Sequence, residues 1–270
     1  MVAVLTANLG KAAPAFFPTI LGELSGVQRG ALLLQEVPAW PADEGIRTFL
    51  GGWRFVRRES CPSVILLPGS WATVDWEDFL GSSIACKTAN LGLVSCYLPD
   101  ISKPYPDFRV ELQNLRELIL RVKARGASHL FIGGDFNTAL PPSAGSFTGT
   151  HACLRGQGSD YYQRVNDILS LMAEFRLKAA NTFPPPGEQG SCYFTRSHQN
   201  AEREEGTQID YVLVTDSLHT RAGVHEVRPH RTDHFPVWCV ARGPGASMYK
   251  SQSSRRRWGV QGLENLQGGE

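Results

Sequence analysis

The chain has 270 residues, with 27 basic and 26 acidic side chains, a formal net charge of +1 and 42% apolar residues. This balance excludes a disordered polyelectrolyte and leaves enough apolar side chain for a sizeable core. Five basic residues (Arg242, Lys250, Arg255, Arg256, Arg257) against two acidic ones follow residue 240, so the part before it is slightly acidic and charge alone does not name a partner. No run approaches the roughly 18 apolar residues a membrane helix requires. The start has no basic segment of the kind that opens a secretory signal, and Asn8 and Lys11 interrupt its apolar stretch. The six cysteines form no CxxC pair, and Cys86, Cys96 and Cys239 fall in apolar runs as small core residues. The expectation is an intracellular, reducing compartment, the nucleus included.

In chain order, strand-like runs occur at 2–8, 30–36, 53–57, 63–68, 71–76, 83–88, 91–98, 129–134, 208–214 and 235–241. A short helix is expected over 14–26. Residues 107–125 place Phe108, Leu112, Leu115, Ile119 and Val122 on one helical face, with Asp107 as cap and Gly126 as stop. Residues 159–176 do the same with Tyr162, Val165, Leu169, Met172 and Phe175, capped by Ser159. Many strands with a few helices outside them predict two stacked sheets flanked by helices. Two loops are long enough to contact a substrate: the Gly-rich 141–158 and a charged hairpin at 196–206. From 242 to 270 the composition turns to Gly, Ser, Gln and Arg, which reads as a disordered basic tail or linker.

Polar residues recur at the edges of these apolar runs. They are Asn8 in VAVLTANLG, Glu36 in ALLLQEV, Asp135 and Asn137 in LFIGGDFN, Asp210 in QIDYVLV, and Asp233 and His234 in TDHFPVWCVA. An acid in a strand-like run breaks the apolar pattern a packed sheet favours. One such residue is a turn former or a cap; five interruptions in series, all oxygen or imidazole donors, point to a hard-metal phosphotransfer site where strand ends converge. Glu36 is a hard oxygen donor suited to Mg²⁺ or Mn²⁺. Asn8 is placed either in the metal shell or on the phosphate. Asp135 and Asn137, two apart in an extended run, are expected to leave the same face, one accepting a proton from water and one orienting it. Asp210 and His234 are natural partners for a carboxylate–imidazole bond. The functional positions run from 8 to 234, so one site needs residues 1–241 as a single domain.

The ordered set Asn8, LQEV, YLP at 97–99, GGDFN, QIDYV and TDHFPV resembles the endonuclease/exonuclease/phosphatase superfamily, and within it the endonuclease domains of non-LTR retrotransposons. The resemblance implies an α/β fold, a four-layered α/β sandwich of two mostly antiparallel sheets flanked by helices. It implies Asn8, Glu36 and Asp233 at metal, the last near a second ion, and Tyr97, Asp135, Asn137, Asp210 and His234 as the catalytic set. Tyr97 stands where relatives carry Tyr or His, and Tyr tilts the substrate toward DNA. Thr232 replaces the family's usual Ser. The acidic residue that abasic-site enzymes place two positions after the Asn is missing, as is their Trp before the late Asp; Gly206, Thr207 and Gln208 stand there. Arg155, Arg164, Arg196 and Thr207 are assigned to substrate contact. The expected activity is Mg²⁺-dependent nicking of duplex DNA by a monomer, leaving 3′-hydroxyl and 5′-phosphate ends. The rivals are a phosphoesterase on RNA, lipid or small phosphates, and an inactive nucleic-acid-binding module.

Overall fold

The structure is a computed structural model and describes residues 2–10, 30–37, 53–69, 71, 74–152, 158–183, 194–197, 206–225 and 232–242. The first sheet contains β1 (Val2–Asn8), β2 (Ala31–Gln35), β3 (Trp53–Arg57), β4 (Val64–Pro68), β13 (His219–Val224) and β14 (Val237–Arg242), in the order β13-β14-β1-β2-β4-β3. The second contains β5 (Val74–Leu80), β6 (Ser83–Thr88), β7 (Leu91–Tyr97), β8 (His129–Asp135), β9 (Leu177–Ala179) and β12 (Asp210–Thr215), in the order β5-β6-β7-β8-β12-β9. Each sheet is antiparallel except for one central pair, β1–β2 in the first and β7–β8 in the second. A small pair, β10 (Arg196–Ser197) and β11 (Gly206–Thr207), forms the base of the hairpin expected at 196–206, whose tip lies outside the described residues.

Helices α1 (Tyr105–Ala124) and α2 (Ser159–Phe175) cover the second sheet. The five apolar positions expected to anchor α1 are all buried, joined by Leu118. It starts earlier than expected, with Pro104 at the N-cap and Asp107 in the first turn, where its charge favours the helix dipole. In α2 the buried stripe is rotated from the expected one. Tyr161 is buried and Tyr162 half-exposed, because Arg164 is fully buried where a basic residue was expected outside. Strand β5 lies at 74–80 rather than 71–76, and β9 and β13 were not anticipated. Both are edge strands, one of three residues and one with little buried apolar surface. The expected helix at 14–26 falls outside the described residues, as does the expected tail at 242–270 except for Arg242, which ends β14. Cys61, Cys86, Cys96 and Cys239 are free and buried. No helix among the described residues is long and apolar enough to cross a membrane.

Between the sheets, the inward side chains keep a strict two-residue period and change character along each strand. The sequence runs Val4, Thr6, Asn8 on β1, Leu93, Ser95, Tyr97 on β7, and Phe131, Gly133, Asp135 on β8. On β12, read backward, it is Val214, Val212, Asp210. The interior is therefore apolar at one end, hydroxyl- and amide-bearing in the middle and charged at the mouth. Gln35 carries the middle layer. Its buried side-chain amide nitrogen, Nε2, donates to Thr6 Oγ1 at 3.1 Å and to Ser95 Oγ at 2.9 Å, and Ser95 Oγ donates to Leu34 O at 2.9 Å. These bonds tie β2 to β7 across the sandwich. Each such bond contributes about 1 kcal/mol net, but losing one partner strands a buried polar group at about 1–3 kcal/mol.

Gly133 lets the sheets close here. A Cβ at this position would lie 2.7 Å from Leu33 Cδ1 and 2.8 Å from Thr6 Cβ. Gly133→Ala is therefore expected to separate the sheets at the middle layer and cost about 1–3 kcal/mol, a Tm drop of roughly 2–10 °C by thermal denaturation. An unchanged Tm would show that the sheets are not in contact at this point.

Candidate active site

Strand register brings the site together. In β1–β2, Asn8 pairs with Gln35, so Glu36 follows at the same end. In β7–β8, Tyr97 pairs with Asp135, and in β8–β12 Asp135 pairs with Asp210. Strand β14 runs against β1 with Val237 opposite Thr6, which delivers the preceding His234 to that same end.

Asp135, the last residue of β8, is buried and accepts from both sheets. Its Oδ2 receives Asn8 Nδ2 at 2.9 Å and its Oδ1 receives the Asn137 backbone N–H at 2.8 Å. Burial, and then the neighbouring Asp210 charge, push its pKa up to about 7 against the lowering effects of His234, Asn137 and Asn8. Asn8 is itself fixed, its Oδ1 accepting from Gly10 N at 2.7 Å. The expectation that Asp135 and Asn137 extend from one face is corrected. The strand ends at Asp135, Phe136 turns into the core, and Asn137 adopts a left-handed φ of 48°. Its Nδ2 donates to Leu98 O at 2.8 Å, so Asn137 locks the Asp135 turn onto the end of β7.

Asp210 and His234 meet as paired side chains, with His234 Nδ1 2.9 Å from Asp210 Oδ2 and 3.1 Å from Oδ1. His234 Nε2 faces the other way, 3.9 Å from Asp135 Oδ2 and 3.6 Å from Asp233 Oδ1. Burial penalises the imidazolium, yet the charge and hydrogen bond of Asp210, with Asp135 and Asp233 behind them, lift its pKa to about 9. Thr232, standing for the family's Ser, keeps the local work. Its Oγ1 donates to Asn8 O at 3.0 Å and accepts the His234 backbone N–H at 3.1 Å.

Glu36 has a left-handed φ of 51°, which ends β2 and turns its carboxylate to the Tyr97 hydroxyl. Burial and then the Glu36 and Asp135 charges raise the Tyr97 pKa, so the phenol keeps its proton and acts as a donor. Asp233 is not open to an ion on both sides: Arg196 Nε lies 2.8 Å from its Oδ2 while His234 stands at its Oδ1. Burial works against the Asp233 carboxylate, but the Arg196 hydrogen bond and the His234 charge hold its pKa below the usual range.

The assigned substrate contacts divide. Arg196 and Thr207 pair across the hairpin base beside His234. Arg164 is placed elsewhere: fully buried over the Phe108 ring, it donates to the carbonyls of Pro99, Asp100 and Lys103. It anchors the segment after Tyr97 instead of reaching substrate. Arg155 lies outside the described residues. Sequence reasoning missed three supports. Thr195 Oγ1 accepts from Asp210 N at 3.0 Å, the Asn181 amide bridges Asp210 O and Val212 N at 3.1 Å each, and Gln35 backs the whole cleft. Thr195 and Asn181 stand in no motif, and Gln35, inside LQEV, shows only as a polar residue in apolar surroundings.

Asp135, Asp210 and His234 also lie close enough to form a three-ligand group, with one donor atom from each within 4.8 Å of the others. With Nδ1 held by Asp210, His234 presents Nε2 toward Asp135 and Asp233. The Glu36 carboxylate is a hard oxygen that could hold a divalent cation, and Asn8 Oδ1, which accepts from Gly10 N, keeps a second lone pair. Glu36, Asp135, Asp210 and Asp233 against His234 and Arg196 leave an excess of negative charge that a divalent cation offsets.

Two six-stranded sheets with paired carboxylates, an Asp-held imidazole and a hard-oxygen mouth define a metal-dependent phosphate-ester hydrolase. The chain matches the model of the Endonuclease/Exonuclease/phosphatase family over residues 5–234, and it belongs to that family, whose members hydrolyse phosphodiester or phosphate ester bonds with a divalent metal. Among solved structures it is similar to the 3′ phosphatase NExo from Neisseria, bound to a product DNA hairpin (TM-score 0.66, 16% identity, 90% of this chain and 100% of that one). It is also similar to the AP endonuclease LMAP from Leishmania major (TM-score 0.62, 14% identity, 90% and 88%). A third is the endonuclease domain of TRAS1, a telomere-specific non-LTR retrotransposon (TM-score 0.55, 16% identity, 89% and 98%). At these identities the likeness is one of fold. Among curated protein sequences, none matches this chain.

The His234–Asp210 pair has a direct signature. In metal-free protein the imidazole should titrate near 9 by NMR, and in Asp210→Asn it should fall well below that, since burial is then less opposed. Because the folded pKa lies above the unfolded one, the pair's contribution to stability is complete below about 6.5 and is lost as pH rises through 9. A His234 titration that is the same in both proteins would show that the pair does not form.

Proposed function

We propose that residues 1–241 form one catalytic domain, acting as a monomer, that nicks duplex DNA with Mg²⁺, or Mn²⁺ in its place, leaving 3′-hydroxyl and 5′-phosphate ends. The observation that carries the reading is the opposed pair at the cleft mouth. The proton-accepting Asp135 Oδ2 and the proton-donating His234 Nε2 are 3.9 Å apart, each fixed from behind by separate partners. Asp135 accepts the proton of the attacking water while the Asn137 backbone N–H and Asn8 hold its carboxylate. The water oxygen bonds to phosphorus as the bond from phosphorus to the 3′ oxygen breaks; that oxygen takes its proton from solvent, and Asp135 returns the water's proton to solvent afterwards. His234 donates Nε2–H to a non-bridging oxygen, where charge grows in the transition state. Tyr97, held by Glu36, presents a second neutral donor. Glu36 and Asn8 would hold a divalent ion, which would supply charge neutralisation to the phosphate.

The choice of DNA rests on Tyr97 and on the company the fold keeps. AP endonucleases, a phosphatase bound to a DNA hairpin and a retrotransposon endonuclease domain share it. The chain carries Thr207 and Gln208 where abasic-site enzymes carry an indole, and Leu9-Gly10 without their extra acid, so no apolar pocket for an abasic sugar is supported.

Supercoiled plasmid should be converted to the open-circular form with Mg²⁺ and left intact with EDTA. Intact and abasic duplexes should be cut at comparable rates, and poly(A) and phospholipid should be left uncut. Turnover of only the non-DNA substrates would contradict the reading, and a preference for abasic duplex on the order of 10³-fold would move the protein among repair enzymes. Within the same assay, Glu36→Gln should raise the Mg²⁺ requirement sharply, since an amide oxygen is a weaker ligand than a carboxylate. An unchanged Mg²⁺ titration would remove Glu36 from the metal.

A further inference from the structure

We propose that Arg196, held by Asp233, is the fixed cation on the His234 side of the cleft and donates to the scissile phosphate, in the position that a second metal ion at Asp233 would otherwise fill. The proposal rests on the phosphodiesterase reading above and names the group that serves it.

Three observations carry it. First, both Asp233 oxygens face cationic groups. Oδ2 is 2.8 Å from Arg196 Nε, and Oδ1 is 3.6 Å from His234 Nε2. An ion at Asp233 would have to displace a guanidinium already in hydrogen-bond contact. Second, the Arg196 backbone is built into the site. It pairs with Thr207 on one side and forms a bridge to His234 on the other. Ser197 N donates to Asp233 O at 3.0 Å, and Phe235 N donates to Thr195 O at 2.6 Å. The hairpin base and the His234 segment thus move as one piece, so the guanidinium is positioned by two strands. Third, the side chain is 42% exposed, while His234 and Asp135 are nearly sealed. Arg196 is the cation a bound phosphate reaches from solvent.

The chemistry fits the role. Nε is spent on Asp233, which leaves the two terminal nitrogens of a planar five-donor group for phosphate oxygens. Burial opposes its charge, but the Asp233 bond and the charges of Asp233, Asp135 and Asp210 keep it cationic. Charge also limits the alternative. An ion at Asp233 would meet Arg196 Nε at 2.8 Å and His234 Nε2 at 3.6 Å from the carboxylate oxygens, and repulsion from both disfavours it.

The test joins a metal count to a mutant cycle. By Mn²⁺ electron paramagnetic resonance on the protein without substrate, Asp233→Asn should bind as many ions as the wild type, with affinity within about twofold. In plasmid nicking, Arg196→Ala and Asp233→Asn should each lower kcat by roughly 10²-fold with little change in KM, the scale for losing one transition-state donor. The double variant should be no worse than either, because the two act as a unit. Arg196→Lys should recover part of the loss, which a purely structural role for the side chain would not produce. Loss of a bound Mn²⁺ in Asp233→Asn, or losses that multiply to about 10⁴-fold in the double variant, would overturn the proposal. If the wild type nicks no DNA, the nuclease reading fails on its own, and the Mn²⁺ count still decides which cation Asp233 holds.

Discussion

The hydrogen bond from Asn8 to Asp135 is the constraint on which the site depends, because it joins the two sheets at the point where chemistry is placed. Asn8 ends β1 and Asp135 ends β8, and their 2.9 Å contact is reached only if the sandwich closes fully at its polar end. That closure is built one layer deeper. Gln35 reaches from β2 to Ser95 on β7, and Gly133 removes the side chain that would hold Thr6 and Leu33 away. An amide network inside a sandwich is worth little in net stability compared with apolar packing. Its value is registration: a slip of either sheet would strand the Gln35 amide and separate Asn8 from Asp135.

The electrostatics follow from the same convergence. Bringing strand ends together concentrates carboxylates in a low-dielectric mouth, where they raise one another's proton affinity. Asp135 shows this as a pKa pushed to about 7, and His234 as an imidazole lifted to about 9 despite its burial. Each anionic group has a stated counterweight in the fold: Asn8 and a backbone N–H for Asp135, His234 for Asp210, Arg196 for Asp233 and the Tyr97 hydroxyl for Glu36. The site is thus a set of opposed, positioned charges, the arrangement that stabilises charge developing on a phosphate without reorganisation.

Much of this was legible in the sequence, for identifiable reasons. The strands and both long helices were readable because buried sheets give dense apolar runs and because the α1 stripe has a clean helical period. The meeting of Asp210 with His234 was readable because a carboxylate and an imidazole at two strand ends have few other uses. The polar interruptions were read as breaks in alternation, yet Asn8, Asp135 and Asp210 keep the inward parity of Val4, Phe131 and Val212; the signal was a polarity gradient along one face. The α2 stripe was misread because Arg164, whose two terminal nitrogens donate to three carbonyls, is charged in sequence and core in structure. Asn137 was misread because a left-handed residue after a strand looks extended in a linear pattern. Thr195 and Asn181 were out of reach, and Gln35 stood in LQEV without a role: each serves a backbone or a layer brought near only by the fold.

The most direct measurement is anomalous scattering from crystals soaked in Mn²⁺ together with a short DNA duplex. One ion is expected at about 2.2 Å from a Glu36 carboxylate oxygen, with a backbone phosphate lying between that ion and His234 Nε2. An ion held only by Asp135, Asp210 and His234, or a duplex bound away from the cleft mouth, would contradict it.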